Sequence, residues 1–214
     1  MKILFQGDSV TDCGRDRDDP HDMGDGYCRY ASAMIQDTFP DTEIEFLNLG
    51  VSGNRTENLV ERLESDFCGV QPDILSIMIG INDVWHRVAI GRETTDEAFE
   101  ANLRTVIEAV KQRTTAKLLL IQPFLLFGGE ALGLREELTR KQAIVKRLAD
   151  EYADAYLPME ELFFGKNQDM TAYSEDGIHP NAAGYRELTW AVLKAIGVKE
   201  ADRAAIYALW QARH

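Results

Sequence analysis

The chain has 214 residues, of which 45% are hydrophobic and 28% charged, and its formal net charge is -13 at pH 7. This length suits one domain with a sizeable core and leaves little room for two. The acidic balance argues against a nucleic-acid surface, which needs clustered lysine and arginine, and it mildly disfavours anionic substrates. No apolar run approaches the roughly 20 residues that span a bilayer. We therefore expect neither nucleic acid nor a membrane as a partner.

Short β-rich segments alternate along the chain with longer segments in which apolar residues recur at helical spacing. The predicted strands are Lys2–Phe5, Glu43–Asn48, Asp73–Ile79, Lys117–Ile121 and Ala153–Tyr156. The predicted helices are Tyr27–Thr38, Thr56–Phe67, Thr95–Arg113, Leu134–Glu151, Asn181–Ile196 and Lys199–Ala212. Three of the strands are nearly continuous apolar runs, which is typical of parallel strands covered by helices on both faces.

This alternation predicts right-handed crossovers and an open parallel sheet between two helical layers. By analogy with flavodoxin-like proteins we expect a five-stranded parallel sheet in the order 2-1-3-4-5, an order that the sequence alone does not determine. The chain has no internal repeat, low-complexity tract or linker-like stretch. Residues 1–214 are therefore predicted to form one domain of the three-layer α/β/α class.

The N-terminal run Met1–Gly7 is too short and too soon interrupted for a signal peptide, so the cytoplasm is the expected location. Cys13, Cys28 and Cys68 lack metal-ligand spacing and are interpreted as buried or partly buried thiols. The acidic stretch 16–25 is better explained as a solvated loop than as a calcium site, because basic residues and a proline interrupt it. We expect no metal and no organic cofactor.

Three polar or glycine positions follow three successive predicted strands. Ser9 comes after the first strand, Gly53 after the second and Asn82 after the third. In open parallel sheets the functional crevice lies beyond the carboxyl ends of the strands. These positions are therefore expected at the same edge of the sheet, although they are far apart in the chain.

Ser9 and His179 are the expected nucleophile and base of such a crevice. A nucleophilic serine needs an exposed hydroxyl on a tight turn, which Gly7 allows, and a base within hydrogen-bond reach. Asp176 lies three residues before His179 and could hold its Nδ1–H, which fixes the tautomer and stabilises the imidazolium. The alternatives are that Ser9 only caps a helix and that Asp176 only makes a turn.

A tetrahedral intermediate also requires preorganised donors. The backbone N–H groups of Ser9 and Gly53 and the side-chain amide of Asn82 would supply three. The alternative is that Gly53 serves a positive φ angle and that Asn82 caps the following helix. Their joint occurrence at successive strand ends favours the oxyanion hole.

The chain resembles the SGNH (GDSL-type) hydrolase superfamily from about residue 3 to residue 196. The resemblance is carried by Gly7-Asp8-Ser9, Gly53, Gly80-Ile81-Asn82-Asp83 and Asp176-Gly177-Ile178-His179-Pro180. It implies the SGNH hydrolase fold, Ser9 as nucleophile, His179 with Asp176 as base, and Ser9, Gly53 and Asn82 as oxyanion donors. Asp-Ser-Val replaces the usual Asp-Ser-Leu, and Gly-Ile-Asn-Asp replaces Gly-Gly-Asn-Asp or Gly-Thr-Asn-Asp. Neither departure changes an atom of the expected chemistry.

Longer stretches resemble the intracellular acetylxylan esterases of this superfamily. They are Gln6–Gly14, Gly50–Asn54 and Ser76–Trp85. The resemblance implies removal of O-acetyl groups from xylo-oligosaccharides. Open alternatives are a thioesterase, a lysophospholipase, a deacetylase of pectic sugars or sialic acid, and a non-catalytic flavodoxin-like binding module. The sequence leaves open whether the chain forms a homo-oligomer.

Aromatic residues near these motifs are candidates for contact with a sugar ring. Trp85 follows the Asn82-Asp83 pair by two residues, so it is interpreted either as a stacking surface or as packing of the crevice wall. Tyr27, Phe124 and Trp190 are lesser candidates, for which a place in the core is the main alternative.

Overall fold

The computed structural model describes residues 1–165 and 169–198 of the chain. Its centre is a five-stranded sheet in the order β2-β1-β3-β4-β5, with every neighbouring pair parallel. The strands are β1 (Lys2–Gly7), β2 (Glu45–Asn48), β3 (Ile74–Met78), β4 (Lys117–Ile121) and β5 (Ala155–Leu157). The predicted strand order and parallel architecture are confirmed.

Helices connect the strands and cover both faces of the sheet. They are α1 (Ser9–Asp12), α2 (Tyr27–Thr38), α3 (Thr56–Glu61), α4 (Ile81–Ile90), α5 (Asp96–Arg113), α6 (Leu134–Tyr152), α7 (Met159–Phe164) and α8 (Ala182–Ile196). Two of these helices begin after a side-chain cap: the Thr95 side chain accepts from Ala98 N–H, and that of Asn181 accepts from Ala183 and Gly184 N–H.

Two apolar cores lie on the two faces of the sheet because alternate strand residues point to opposite sides. Ile3 and Phe5 of β1 pack in one core with α2 and α8. Leu4 of β1 packs in the other with α3, α5 and α6. Burial on both faces explains the nearly continuous apolar character of the strands.

The helical segments differ from the predictions at four places. The predicted helix Thr56–Phe67 is split, since α3 ends at Glu61 and a short π-helix over Glu64–Cys68 follows. Helices α1, α4 and α7 were not predicted, and all three are short, with four, ten and six residues. The predicted helix Lys199–Ala212 lies outside the described residues. No helix in the described ranges is both long and apolar enough to cross a membrane.

Candidate active site

Ser9 lies at a tight junction between β1 and α1. An added Cβ at Gly7 would lie 2.3 Å from Thr11 Oγ1 and 2.5 Å from Met78 O, so only glycine lets the chain turn here without displacing its neighbours. The buried Asp8 side chain caps α1 by accepting from Val10 N–H at 3.1 Å. Capping is thus the role of Asp8, and the partly exposed Ser9 hydroxyl is left for another partner.

That partner is His179, 170 positions further along the chain. Ser9 Oγ lies 2.9 Å from His179 Nε2. Both groups remain accessible, since about half of the His179 side chain is exposed. The structure therefore brings together the hydroxyl and the imidazole that the sequence analysis paired.

The loop before α8 holds His179 through Asp176. Asp176 Oδ2 lies 2.6 Å from His179 Nδ1, while Oδ1 accepts the backbone N–H groups of Ile178 and His179. Burial opposes ionisation of Asp176, but the bonds from His179 and Ile178 outweigh it and lower its pKa to about 2. Asp176 is therefore a carboxylate at neutral pH, and it favours the imidazole tautomer that carries hydrogen on Nδ1 and a lone pair on Nε2.

Gly53 occupies a four-residue turn after β2. Asn54 N–H donates to Val51 O at 3.0 Å, and the turn places Gly53 at φ 82°, where a side chain is strained. Nothing lies within 4 Å of an added Cβ at Gly53. The glycine therefore serves the backbone conformation and not close packing.

Asn82 lies in the first turn of α4 and is mostly buried. Its Nδ2 donates one hydrogen to Asn54 O at 3.0 Å, and the amide has a second hydrogen to offer. Within the described residues, the backbone N–H groups of Ser9 and Gly53 have no hydrogen-bond acceptor. The three predicted donors thus follow the carboxyl ends of β1, β2 and β3.

Two buried carboxyl groups beside these donors were not assigned a role from the sequence. Burial raises the pKa of Asp8 to about 7; Val10 N–H and His179 oppose this rise, whereas Asp83 adds to it. Burial raises the pKa of the fully buried Asp83 to about 6 against the opposing bonds from Thr56. Asp83 belongs to the motif Gly80–Asp83, which was the only signal available in the sequence.

The aromatic candidates fall into two groups. The interpretation of Tyr27 and Phe124 as substrate-binding residues is wrong, because both side chains are buried in the core. Tyr27 packs edge-on against Phe5 and its hydroxyl lies 3.1 Å from Thr11 Oγ1, while Phe124 packs against Phe163. Trp190 is buried and lines a cavity of about 540 Å³ between α8 and β5 whose lining does not include Ser9 or His179.

Trp85, in contrast, is 37% exposed. At 3.6 residues per turn it lies between Ile81 and Asn82 on the circumference of α4. Ile81 belongs to a buried cluster with Ile178, the neighbour of His179, and Asn82 contacts the turn that carries Gly53. Trp85 therefore lies on the side of α4 that also carries Ile81 and Asn82. No group of three or more His, Cys, Asp or Glu side chains in the described ranges is arranged to hold a metal ion.

Comparison with known proteins extends over nearly the whole chain. The family model of the GDSL-like lipase/acylhydrolase family matches residues 5–187. An acetylxylan esterase from Geobacillus stearothermophilus is 33% identical over 206 residues, which cover 92% of this chain and 94% of the relative.

Solved structures agree with this match. The structure of Axe2, an acetylxylan esterase from the same organism, has a TM-score of 0.85 at 32% identity and covers 92% of this chain and 94% of its own. A putative GDSL-like lipase from Parabacteroides merdae has a TM-score of 0.86 at 31% identity, covering 92% and 96%. Structures described as catalytic mutants of Axe2 replace a serine, an aspartate and a histidine with alanine, and that aspartate precedes the histidine by three positions, as Asp176 precedes His179.

Proposed function

Because the chain belongs to the GDSL-like lipase/acylhydrolase family and is a carboxylic ester hydrolase, we propose that it removes O-acetyl groups from carbohydrates by a Ser9-His179-Asp176 relay. The observation that carries the proposal is the unbroken line of contacts from Ser9 Oγ to His179 Nε2 and from His179 Nδ1 to Asp176 Oδ2. Ser9 and His179 are 170 positions apart in the chain, so local turn geometry does not explain why the serine meets the Asp176-His179 pair.

Acylation begins when His179 Nε2 takes the Ser9 proton and Ser9 Oγ bonds to the acetyl carbonyl carbon. The Asp176 carboxylate stabilises the imidazolium that forms. The oxyanion accepts from Ser9 N–H, Gly53 N–H and Asn82 Nδ2. Each donor of this kind contributes about 3–4 kcal/mol to transition-state stabilisation. His179 then gives its proton to the sugar oxygen as the ester C–O bond breaks.

Deacylation repeats the same steps with water. His179 removes a proton from water, the hydroxide attacks the acetyl carbonyl, and the same donors hold the second oxyanion. Breaking the bond to Ser9 releases acetate and returns the proton to Oγ. The cycle requires no metal or cofactor.

Acetylated xylo-oligosaccharides are the substrates that we propose. The full-length similarity to an acetylxylan esterase supports this choice. Trp85 would stack on a sugar ring, since aromatic faces pack well against the apolar face of a pyranose and this side chain is partly exposed three residues after Asn82 in α4. The proposal includes a cytoplasmic location, in keeping with the three free cysteines, which are common where thiols stay reduced.

The test is acetate release from acetylated xylo-oligosaccharides, compared with 4-nitrophenyl acetate, a long-chain acyl ester and an acyl thioester. We expect the highest kcat/KM on the oligosaccharides and no turnover by Ser9→Ala on any substrate. Trp85→Ala should raise KM about tenfold on the oligosaccharides and leave 4-nitrophenyl acetate hydrolysis unchanged. Turnover by folded Ser9→Ala would remove Ser9 from the mechanism. Preference for the long-chain ester or the thioester would favour the lysophospholipase or thioesterase alternative.

A further inference from the structure

The oxyanion donors belong to two separate pieces of chain, the turn after β2 and the first turn of α4. Gly53 is exposed and no side chain packs where its Cβ would be, so its own contacts do not determine where its N–H points. A displacement of about 1 Å in such a donor can cost much of its effect on the reaction. The position of Gly53 must therefore be set by its neighbours in the chain.

Two consecutive residues of α4 hold those neighbours. Asn82 Nδ2 donates to Asn54 O, one residue after Gly53. Asp83 accepts from Thr56, three residues after Gly53, through both the backbone N–H, at 3.1 and 3.3 Å, and the hydroxyl, at 2.7 Å. Asn82 and Asp83, with their partners Asn54 and Thr56, form what we call the α3–α4 clamp.

We propose that Asp83 is the positioning residue of the oxyanion hole. Through its hydrogen bonds to Thr56, it fixes the position of the Gly53 N–H relative to the Asn82 side-chain amide. This inference rests on the proposed function only in taking Gly53 and Asn82 as oxyanion donors. Among the described residues, the hydrogen bonds of Asp83 run to Thr56 and to neither Ser9 nor His179.

The contacts of Asp83 suit this task. Its carboxylate is completely buried and accepts the N–H at the first position of α3, where a helix has unpaired donors and favours negative charge. Thr56 Oγ1 in turn accepts from Asn102 Nδ2 of α5 at 3.4 Å, which ties the junction to a long helix. An apolar residue at position 83 could pack but could not accept from Thr56.

The electrostatic surroundings keep Asp83 able to accept. Burial raises its pKa to about 6, whereas the bonds from Thr56 and the charge of Arg55 lower it. The Arg55 guanidinium is itself buried, where it donates to Thr94 Oγ1 at 3.0 Å and pairs with Glu57. Above pH 6 the carboxylate can thus accept both Thr56 donors, and the nearby cation offsets the repulsion that it would exert on a developing oxyanion.

The test uses Asp83→Asn, which keeps the shape of the side chain but turns one acceptor into a donor facing Thr56. Because the ester carbonyl gains charge only in the transition state, we expect kcat on 4-nitrophenyl acetate to fall about 10- to 100-fold, with KM within about twofold. Thr56→Val removes one hydroxyl and should lower kcat several-fold. In the double variant the Thr56 substitution should add no further loss, because both changes break the same contact.

The matched control is Asp154→Asn. Asp154 also accepts a backbone N–H, that of Leu118 at 2.9 Å, but at the amino end of β4, the opposite edge of the sheet. The Asp154→Asn substitution should lower the free energy of unfolding and leave kcat unchanged.

Unchanged kcat in folded Asp83→Asn, or additive losses in the double variant, would overturn the proposal. If Asp83→Asn does not fold, Thr56→Val decides alone, and full kcat in that variant would overturn it. Ser9→Ala, measured on the same ester, keeps the two proposals apart. Its turnover would refute the nucleophile, whereas an inactive Ser9→Ala beside a fully active Asp83→Asn would refute only the clamp.

Discussion

His179 has a different partner on each ring nitrogen, and Asp176 decides which nitrogen carries hydrogen. Nδ1 faces the Asp176 carboxylate at 2.6 Å and Nε2 faces Ser9 at 2.9 Å. The low pKa of Asp176, about 2, means that this group is an acceptor throughout the range in which an esterase works. The same carboxyl also accepts two backbone N–H groups, so it shapes the loop that presents the imidazole.

Asp176→Asn separates the tautomer effect from the loop geometry. The asparagine Oδ1 can keep the backbone bonds, but its NH₂ would donate to Nδ1 and move the imidazole hydrogen to Nε2. An Nε2 that carries hydrogen cannot accept the Ser9 proton. We expect kcat/KM on acetyl esters to fall up to about ten-thousand-fold, with the melting temperature little changed. Asp19→Asn is the control, since Asp19 accepts the backbone N–H of His21 at 2.9 Å, while the His21 imidazole bonds to Phe46 O. A loss below tenfold would exclude Asp176 from the relay.

The candidate site is built from places where strands end and helices begin. Ser9 opens α1, Gly53 precedes α3, Asn82 lies in the first turn of α4, and His179 precedes α8. Helix N-termini offer unpaired N–H groups and favour negative charge, which suits an oxyanion. The convergence of these ends was predictable because the carboxyl ends of parallel strands share one edge of a sheet.

The facing of individual side chains was less predictable. Motif spacing located Ser9 and His179, but it did not show that Tyr27 points into the core, because a helix such as α2 exposes only part of its circumference and one sequence does not determine its rotation. The clamp was also hidden, since the partners Asp83 and Thr56 are 27 positions apart and neither belongs to the relay. Contacts between side chains of distant elements require the packed structure.

Gly53→Ala tests the turn after β2. At φ 82° an alanine is strained by about 1 kcal/mol, but it meets no atom within 4 Å, so the protein should fold. Relief of the strain would rotate the turn and displace its N–H, so we expect kcat to fall about 10- to 100-fold with little change in KM. Gly91→Ala is the matched control: it has φ 69° and equally open space, but it ends α4, roughly 15 Å from the first turn of that helix. Equal kcat values for the two variants would show that the Gly53 turn does not act in catalysis.

The acidic side chains of this protein differ widely in burial. In this chain of net charge -13, most acidic residues of the described ranges are exposed, whereas Asp8 and Asp83 are buried beside the site, where Asp83 adds to the rise in the pKa of Asp8. Burying a carboxyl group stabilises its neutral form and penalises the charged form. Ionisation of these buried carboxyl groups therefore lowers the free energy of unfolding as pH rises.

Asp8→Asn measures that cost. The pKa of Asp8 is about 7 in the fold against an ordinary value of 3.8, so between these values the folded state holds a proton that the unfolded state has released. Stability contributed by the protonated group is complete below about pH 4 and is lost as pH rises through 7. Asparagine cannot ionise and can still accept from Val10 N–H. We expect its melting temperature to match the wild type near pH 4 and to exceed it by about 5–10 °C at pH 8. Asp18→Asn, an exposed site with the same change of net charge, should show no such trend. A difference for Asp8→Asn that stays constant from pH 4 to 8 would mean that Asp8 ionises in the fold as readily as in the unfolded chain.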